Sequence, residues 1–520
     1  MSLGKKVGIA SAIMMASVLL SRFIGVAREM IIAYVGGATG AVDAYLVSFT
    51  VPEMLNHIVA SGFLSVTFIP IFAEYLARDR EEEGWQVLSV ILTCFGGLLL
   101  ILIVFSHFFA SDLIDLAARG RASPEFKSVA VRMTRIIIPA QFFFFAGGLF
   151  MAVQFAKEKF FVPALAPLIY NLGIIGGGVV LGDRYGMEGF SWGVLAGAFI
   201  GNFALQLWGA RRVGLRFRLN FHVRHPDFMT YIRLTLPLMV GLTMMFSMEI
   251  FIRFFGSYLP AGHIAGLNYS RTILLIPVGL FGQAVGVASF PFMARLVAEK
   301  KLTEMNRLLN DTLRFLALVI PISALFMVLR HEIIQLLFQR GRFDAAAADL
   351  TAPILIYLMP GAFALSAYAV VVRSFYAAKN TWFPAVFGTV AVLACLPLYW
   401  YGMQWLGARG VALAVAGSAL LQAWLLYVLW NRKTGNADSP IVYRFILKIL
   451  AISLVLGVGI EWLRTQLVSL FASDTMLSAV LVCLMVGGLF VLLLLAAGRL
   501  CGIPEIRILF ERLLARIRRR

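Results

Sequence analysis

Ten stretches of at least 18 residues contain no Asp, Glu, Lys or Arg: 54–73, 86–111, 136–156, 161–182, 189–210, 272–294, 351–372, 380–408, 410–431 and 475–498. A helix needs about 20 apolar residues to cross the hydrocarbon core of a bilayer. Four further segments, 7–34, 226–257, 315–329 and 441–463, are apolar but shorter or interrupted by charge. Together they predict an all-α polytopic membrane protein with fourteen transmembrane helices. Only 15 residues separate Arg314 from Arg330 in the 315–329 segment, and snorkelling of those arginines extends its reach. Composition agrees. Of 520 residues 61% are hydrophobic and 14% charged, where a soluble chain carries about 25% charge. A soluble enzyme, a disordered chain and a collagen-like fibre are thereby excluded, because only a bilayer hides so much apolar surface.

Motifs for chemistry are missing. Cys94, Cys395, Cys483 and Cys501 are scattered without a CxxC, and the six histidines make no HExxH. A disulfide framework, a metal site and a cofactor are not expected. No GxxxxGK[ST] occurs, so the chain does not hydrolyse nucleotide itself. The first apolar stretch, from Val7, has the look of a signal peptide. Arg22 and Arg28 interrupt it and no small-residue cleavage site follows, which makes it a retained first helix.

Lys and Arg alternate in density along the connections. One set of loops holds Arg78, Arg80, Lys157, Lys159, five arginines between 211 and 224, and the tail from Arg512 to Arg520. The other set is sparse. The rich side is expected to be cytoplasmic, with both termini there. The formal net charge of +18 belongs mostly to these loops. The tail over 501–520 reads as an anchor on anionic lipid, not as a nucleic-acid site.

An offset of 221 residues joins matching positions in the two halves. Pro70 maps to Pro291, Arg119-Gly120-Arg121 to Arg340-Gly341-Arg342, Pro139 to Pro360, Phe155-Ala156 to Tyr376-Ala377, and Pro163-Ala164 to Pro384-Ala385. This predicts two six-helix lobes, 1–219 and 220–433, then two extra helices over 434–500. An even helix count per lobe makes the repeats parallel, as in two-lobed transporters with the substrate between lobes. Gly189, Gly193, Gly197 and Gly201 form a four-residue ladder for close packing within a lobe.

Charges inside the apolar segments single out candidate residues. Arg22, Arg28 and Glu29 sit in the first segment, where an unpaired arginine costs at least about 2.5–3.5 kcal/mol at the bilayer centre. Arg22 and Arg28 read either as a cationic cavity for an anionic substrate, or as snorkelling side chains or a structural ion pair with Glu29 or Asp43. The 221 offset carries Arg28 to Glu249, with Arg253 one turn later as its plain i,i+4 partner. Arg271, beside "NYS", either joins the cavity or snorkels. Asp43 either orients an arginine or caps a helix. Glu53, Asn56 and His57 lie one turn apart on the second helix and either line the same cavity or form a polar helix face. Arg119, Arg121, Arg340 and Arg342 lie against the charge bias, as repeated helix ends or as an outer gate.

The stretches "SRFIGVAREM", "VDAYLVSFTVPEML", "SGFLSVTFIPIFAEYLA", "FVPALAPLIYNLG", "LFQRGRFDA" and "FYAAKNTWFP" resemble the MurJ/MviN family, in order from about residue 8 to 430. These are lipid II flippases of the multidrug/oligosaccharidyl-lipid/polysaccharide exporter superfamily. The resemblance implies a fourteen-helix protein of the bacterial inner membrane. Its work would be to move the undecaprenyl-pyrophosphate-linked precursor to the outer leaflet for cell-wall synthesis, without covalent chemistry. It implies that Arg22, Arg28 and Asp43 line the cavity, with Arg271 as the eighth-helix arginine after a one-residue slip. It also implies that 434–500 helps form a groove for the lipid tail. Many family members carry a basic pair after "PNLL", where this chain reads "PEMLNHIV" and has Asn56-His57. Lipid II and membrane lipids are the expected partners, with cell-wall machinery as a further one and the chain itself a monomer. Sodium, protons or the membrane potential would drive transport. Another polyprenyl-linked glycan or a drug is the alternative cargo, and a non-transporting scaffold the alternative role.

Overall fold

The charge-free runs fold as helices because, inside lipid, only the next turn can satisfy a backbone amide. The computed structural model describes residues 3–57, 63–121, 123–233, 235, 247–470, 475–503 and 505. Among the described residues the regular structure is helical throughout. Among the described residues, ten helices are long and apolar enough to cross a membrane, or eleven if the bent pair Ala345–Leu358 and Gly361–Ala377 is one span. These eleven account for every expected span except the first, second and seventh. The first is one 34-residue helix, Leu3–Gly36, long enough to cross but interrupted by its charges. The second is broken into Gly40–Ser48, Thr50–Leu55 and Phe63–Ala77, and 58–62 lies outside the described residues. Of the seventh, Ser247–Gly256 is described while 236–246 is not. The short 315–329 segment is the end of a longer span, Leu302–Val328, so its arginine-bounded window understates its length. Most of the basic tail over 501–520 lies outside the described residues.

The 221-residue period recurs in the backbone. Among the described residues, eight of the twelve with positive φ fall in pairs at that spacing: Asp79 with Lys300, Glu158 with Lys379, Gly186 with Gly407, and Gly214 with Gly435. Pro139 and Pro360 each stand directly before a 17-residue helix, Ala140–Ala156 and Gly361–Ala377. Proline lacks the amide that would continue the preceding helix, so both repeats break at the same place.

The chain divides into two compact units. One holds 1–265 with 340–343, and the other holds 266–339 with 344–520. These units differ from the halves of the repeat: the first takes in 220–265 and the 340–343 turn. The reason is the set of bonds that those two segments make within it, described below.

Within the first unit, Phe161–Tyr185 and Met187–Gly197 pack backbone on backbone. A Cβ on Gly177 would lie 2.5 Å from the Cα of Gly193, and one on Gly173 would lie 2.5 Å from the Cα of Gly197. The glycine ladder therefore serves close packing within the first unit, as its spacing predicts. Within the second unit, Asn310 and Asn436 exchange amide bonds at 3.0 Å, and Tyr427 donates to Asn310 at 2.7 Å. Trp430 donates to Asn306 at 2.9 Å. These bonds tie Leu302–Leu316 to Ala408–Thr434, so the polar side chains of both are satisfied where they are buried. Ser439–Leu470 is fixed by ions. Arg464 bonds Glu332 at 2.8 Å, both almost wholly buried, and Arg330 grips Glu461 at 2.8 and 3.0 Å.

Candidate functional site

The candidate charges of the first unit gather in three places among the described residues. The first is built on Leu3–Gly36. Arg28 donates from Nε and Nη2 to one oxygen of Glu29, at 3.2 and 2.7 Å. Its Nη1 donates to Asn171 Oδ1 at 3.0 Å. Asn171 is itself aimed, because its amide nitrogen donates to the Pro167 carbonyl at 2.9 Å. Pro167 lies one turn earlier on the same helix, Phe161–Tyr185, so the bond is a local i−4 one that holds the amide in place. A guanidinium has five donors, and Arg28 uses three of them here, with 28% of its side chain exposed. Arg28 thus keeps donors and open surface after its own partners are satisfied. Arg22, six residues earlier, is exposed.

The second centre joins Thr50–Leu55 to Ser247–Gly256. Buried Arg253 grips both oxygens of Glu53, at 2.5 and 3.0 Å, and Glu249 lies 3.7 Å away. The local i,i+4 partner is therefore the weaker one, and Glu53 closes the fork bidentately. Tyr45 lies within electrostatic reach of both Arg28 and Arg253, and Tyr170 within reach of Arg28 and Glu53. Asn56 donates to Gln141 at 2.9 Å, and His57 beside it is half-buried.

The third centre is a reciprocal clasp. Asp43 is fully buried. Its carboxylate accepts from Arg121 at 2.7 Å and from the amides of Gly262 and Ala265, each at 2.8 Å. Those amides begin the helix His263–Pro277, so Asp43 is its cap and stabilises its positive end. Arg121 also donates to the Leu259 carbonyl at 2.6 Å and stacks over Phe126. Gly120 donates to Ser257 Oγ at 3.1 Å, and any Cβ there would strike Tyr258. The equivalent turn 221 residues on does the same for the first helix. Arg342 donates its amide to the Tyr34 carbonyl at 2.9 Å, and a Cβ on Gly341 would strike Tyr34. Each RGR turn therefore seats on the end of the helix that opens the opposite repeat.

The structure thus brings Arg28 to Glu29 and Asn171, Arg253 to Glu53, and Asp43 to Arg121. It does not bring Asp43 to the Arg28 guanidinium, which bonds Glu29 and Asn171. Arg119, Arg340 and Arg342 are exposed, and Arg271, on His263–Pro277 in the second unit, is half-buried. Sequence reasoning missed Asn171 and Gln141. Their only signal was an amide side chain within an apolar run.

The family described as lipid II flippase MurJ matches residues 32–486. The lipid II flippase MurJ of Burkholderia cenocepacia is 25% identical over 452 residues, 85% of this chain and 87% of that protein. The probable lipid II flippase MurJ of Thermotoga maritima is 28% identical over 447 residues, covering 85% and 88%. Among solved structures, lipid II flippase MurJ in an inward closed conformation aligns with a TM-score of 0.77 at 23% identity, covering 94% of this chain and 98% of that one. An inward-facing multidrug resistance MATE family transporter of the MOP superfamily aligns at 0.65 and 14% identity, covering 80% and 94%. The family match spans most of the sequence, and this chain belongs to the lipid II flippase MurJ family, a family of multi-pass membrane transporters and not of enzymes.

Proposed function

We propose that Arg28 is the residue on which this flippase takes hold of lipid II, and that transport proceeds by alternating access. The observation that carries the reading is the state of Arg28: inside a membrane helix, oriented by Glu29 and Asn171, and still holding unused donors. A planar, permanently charged fork suits a pyrophosphate head group. Arg253 is closed on Glu53, which leaves it a supporting part. The Asp43–Arg121 clasp and its counterpart at Arg342 serve as the gate that shuts the outer side. The lobes 1–219 and 220–433 are the moving bodies, and 434–500 receives the lipid tail. The protein would lie in the bacterial cytoplasmic membrane, with both termini inside, as the Lys and Arg distribution supports.

The experiment is outer-leaflet lipid II in cells depleted of their own flippase and supplied with this protein. Wild type should restore it, and Arg28→Ala should abolish it while the protein stays folded in the membrane. Normal flipping by Arg28→Ala would remove Arg28 from the mechanism. Failure of the folded wild type would pass the lead to another polyprenyl-linked glycan.

A further inference from the structure

Arg373 lies on Gly361–Ala377 in the second unit, four residues and so about 6 Å from the end that leads to Lys379. It is half-buried, and its Nη1 donates to the Ala369 carbonyl at 2.8 Å. Ala369 is one turn deeper in the span. The head group therefore points inward along the helix, the reverse of snorkelling. Among the described residues no carboxylate faces it, and Tyr376 is the titratable neighbour. The remaining guanidinium donors meet no acceptor among the described residues.

A slot for the guanidinium is built into the neighbouring helix. A Cβ on Gly286 would lie 2.2 Å from Arg373 Nη1. Gly286 follows a π-helical turn, Val278–Gln283, a backbone form that recurs at functional sites. One turn before it, a Cβ on Gly282 would lie 2.6 Å from the Cα of Ser366, so the two helices are held close. The fold itself does not call for arginine here. The position 221 residues earlier is Ala152, fully buried in the matching helix.

We propose that Arg373, seated against Gly286, is a binding site for the phosphate of a lipid. Arg373 is a cation kept within a membrane span at the known cost, with one backbone carbonyl and no carboxylate against it among the described residues, and such a group is suited to a counter-ion from outside the chain. A guanidinium fork matches phosphate oxygens in pairs. An isoprenoid pyrophosphate and a phospholipid head group share that chemistry. The site lies within the second unit and does not depend on the reading of Arg28.

The test is native mass spectrometry of the full chain in detergent with geranylgeranyl pyrophosphate or phosphatidylglycerol. All proteins carry Arg28→Gln, so that lipid held at Arg28 is not counted. Without further change the protein should retain one lipid or both. Arg373→Gln should lower the retained fraction tenfold or more, and Arg373→Lys less. Gly286→Ala keeps the charge but fills the slot, and should lose binding as well. Preference for the pyrophosphate assigns the site to the transported lipid class, and preference for phosphatidylglycerol to the bilayer. Retention of neither lipid overturns the proposal, as does equal retention with and without Arg373→Gln. Should Arg373→Gln unfold, Gly286→Ala decides between these outcomes.

Discussion

A charge inside a membrane helix needs a partner, and the partner fixes what the charge can still do. Arg28 and Arg253 differ in this respect. Glu53 meets Arg253 with both carboxylate oxygens, whereas Glu29 meets Arg28 with one, and neutral Asn171 takes a third donor and leaves two unused. Asn171→Leu keeps the volume and removes the acceptor. It should cut lipid II delivery several-fold at unchanged protein level, measured in the same complementation assay. An unchanged rate would make Asn171 a bystander. Arg464 represents the structural kind of charge. Arg464→Leu leaves Glu332 buried and unpaired, at about 3–5 kcal/mol. The unfolding temperature in detergent should fall, and Arg464→Leu with Glu332→Leu should recover part of the loss.

At the scale of elements, the glycines distinguish faces of one helix. Gly177 meets the backbone of Gly193 directly, while a Cβ on Gly176 would meet nothing within 4 Å. Gly177→Val should prevent the protein from accumulating in membranes. Gly176→Ala should accumulate at wild-type level or above, since alanine favours the helix by up to about 1 kcal/mol. Equal levels for the two variants would show that the close approach carries no weight. The four-residue glycine period was legible in the sequence, because it follows from helix geometry alone. Its partner helix was not, since Gly173 and Gly177 become its complement only once two antiparallel neighbours are in register.

At the scale of the whole molecule, the clasp is the gate proposed above, and locking it tests that role. A Cβ on Gly40 would lie 3.5 Å from that of Ala261, within the range that a disulfide spans. Cysteines at these two positions, with the four native cysteines replaced, should cross-link under mild oxidant. Lipid II delivery should then stop and return on reduction. Delivery that continues through a fully cross-linked population would show that the clasp need not open.

The sequence by itself determined the helical membrane fold, the 221-residue repeat and the residues whose charge has no place in lipid. These rest on local physics: a run without charge must bury itself in lipid, and a turn that needs a left-handed residue needs it in both repeats. The lipid II family, too, was legible in ordered motifs. Only the tertiary structure decided which charge meets which. Asp43 was open between an arginine of the first helix and a cap. It became the cap of His263–Pro277 and the partner of Arg121, because two free amides and a guanidinium converge on it from segments up to 222 residues away. Arg253 left its neighbour one turn away for Glu53, 200 residues distant, because a facing helix can present both carboxylate oxygens to the fork, and a residue on the same helix here presents one at 3.7 Å.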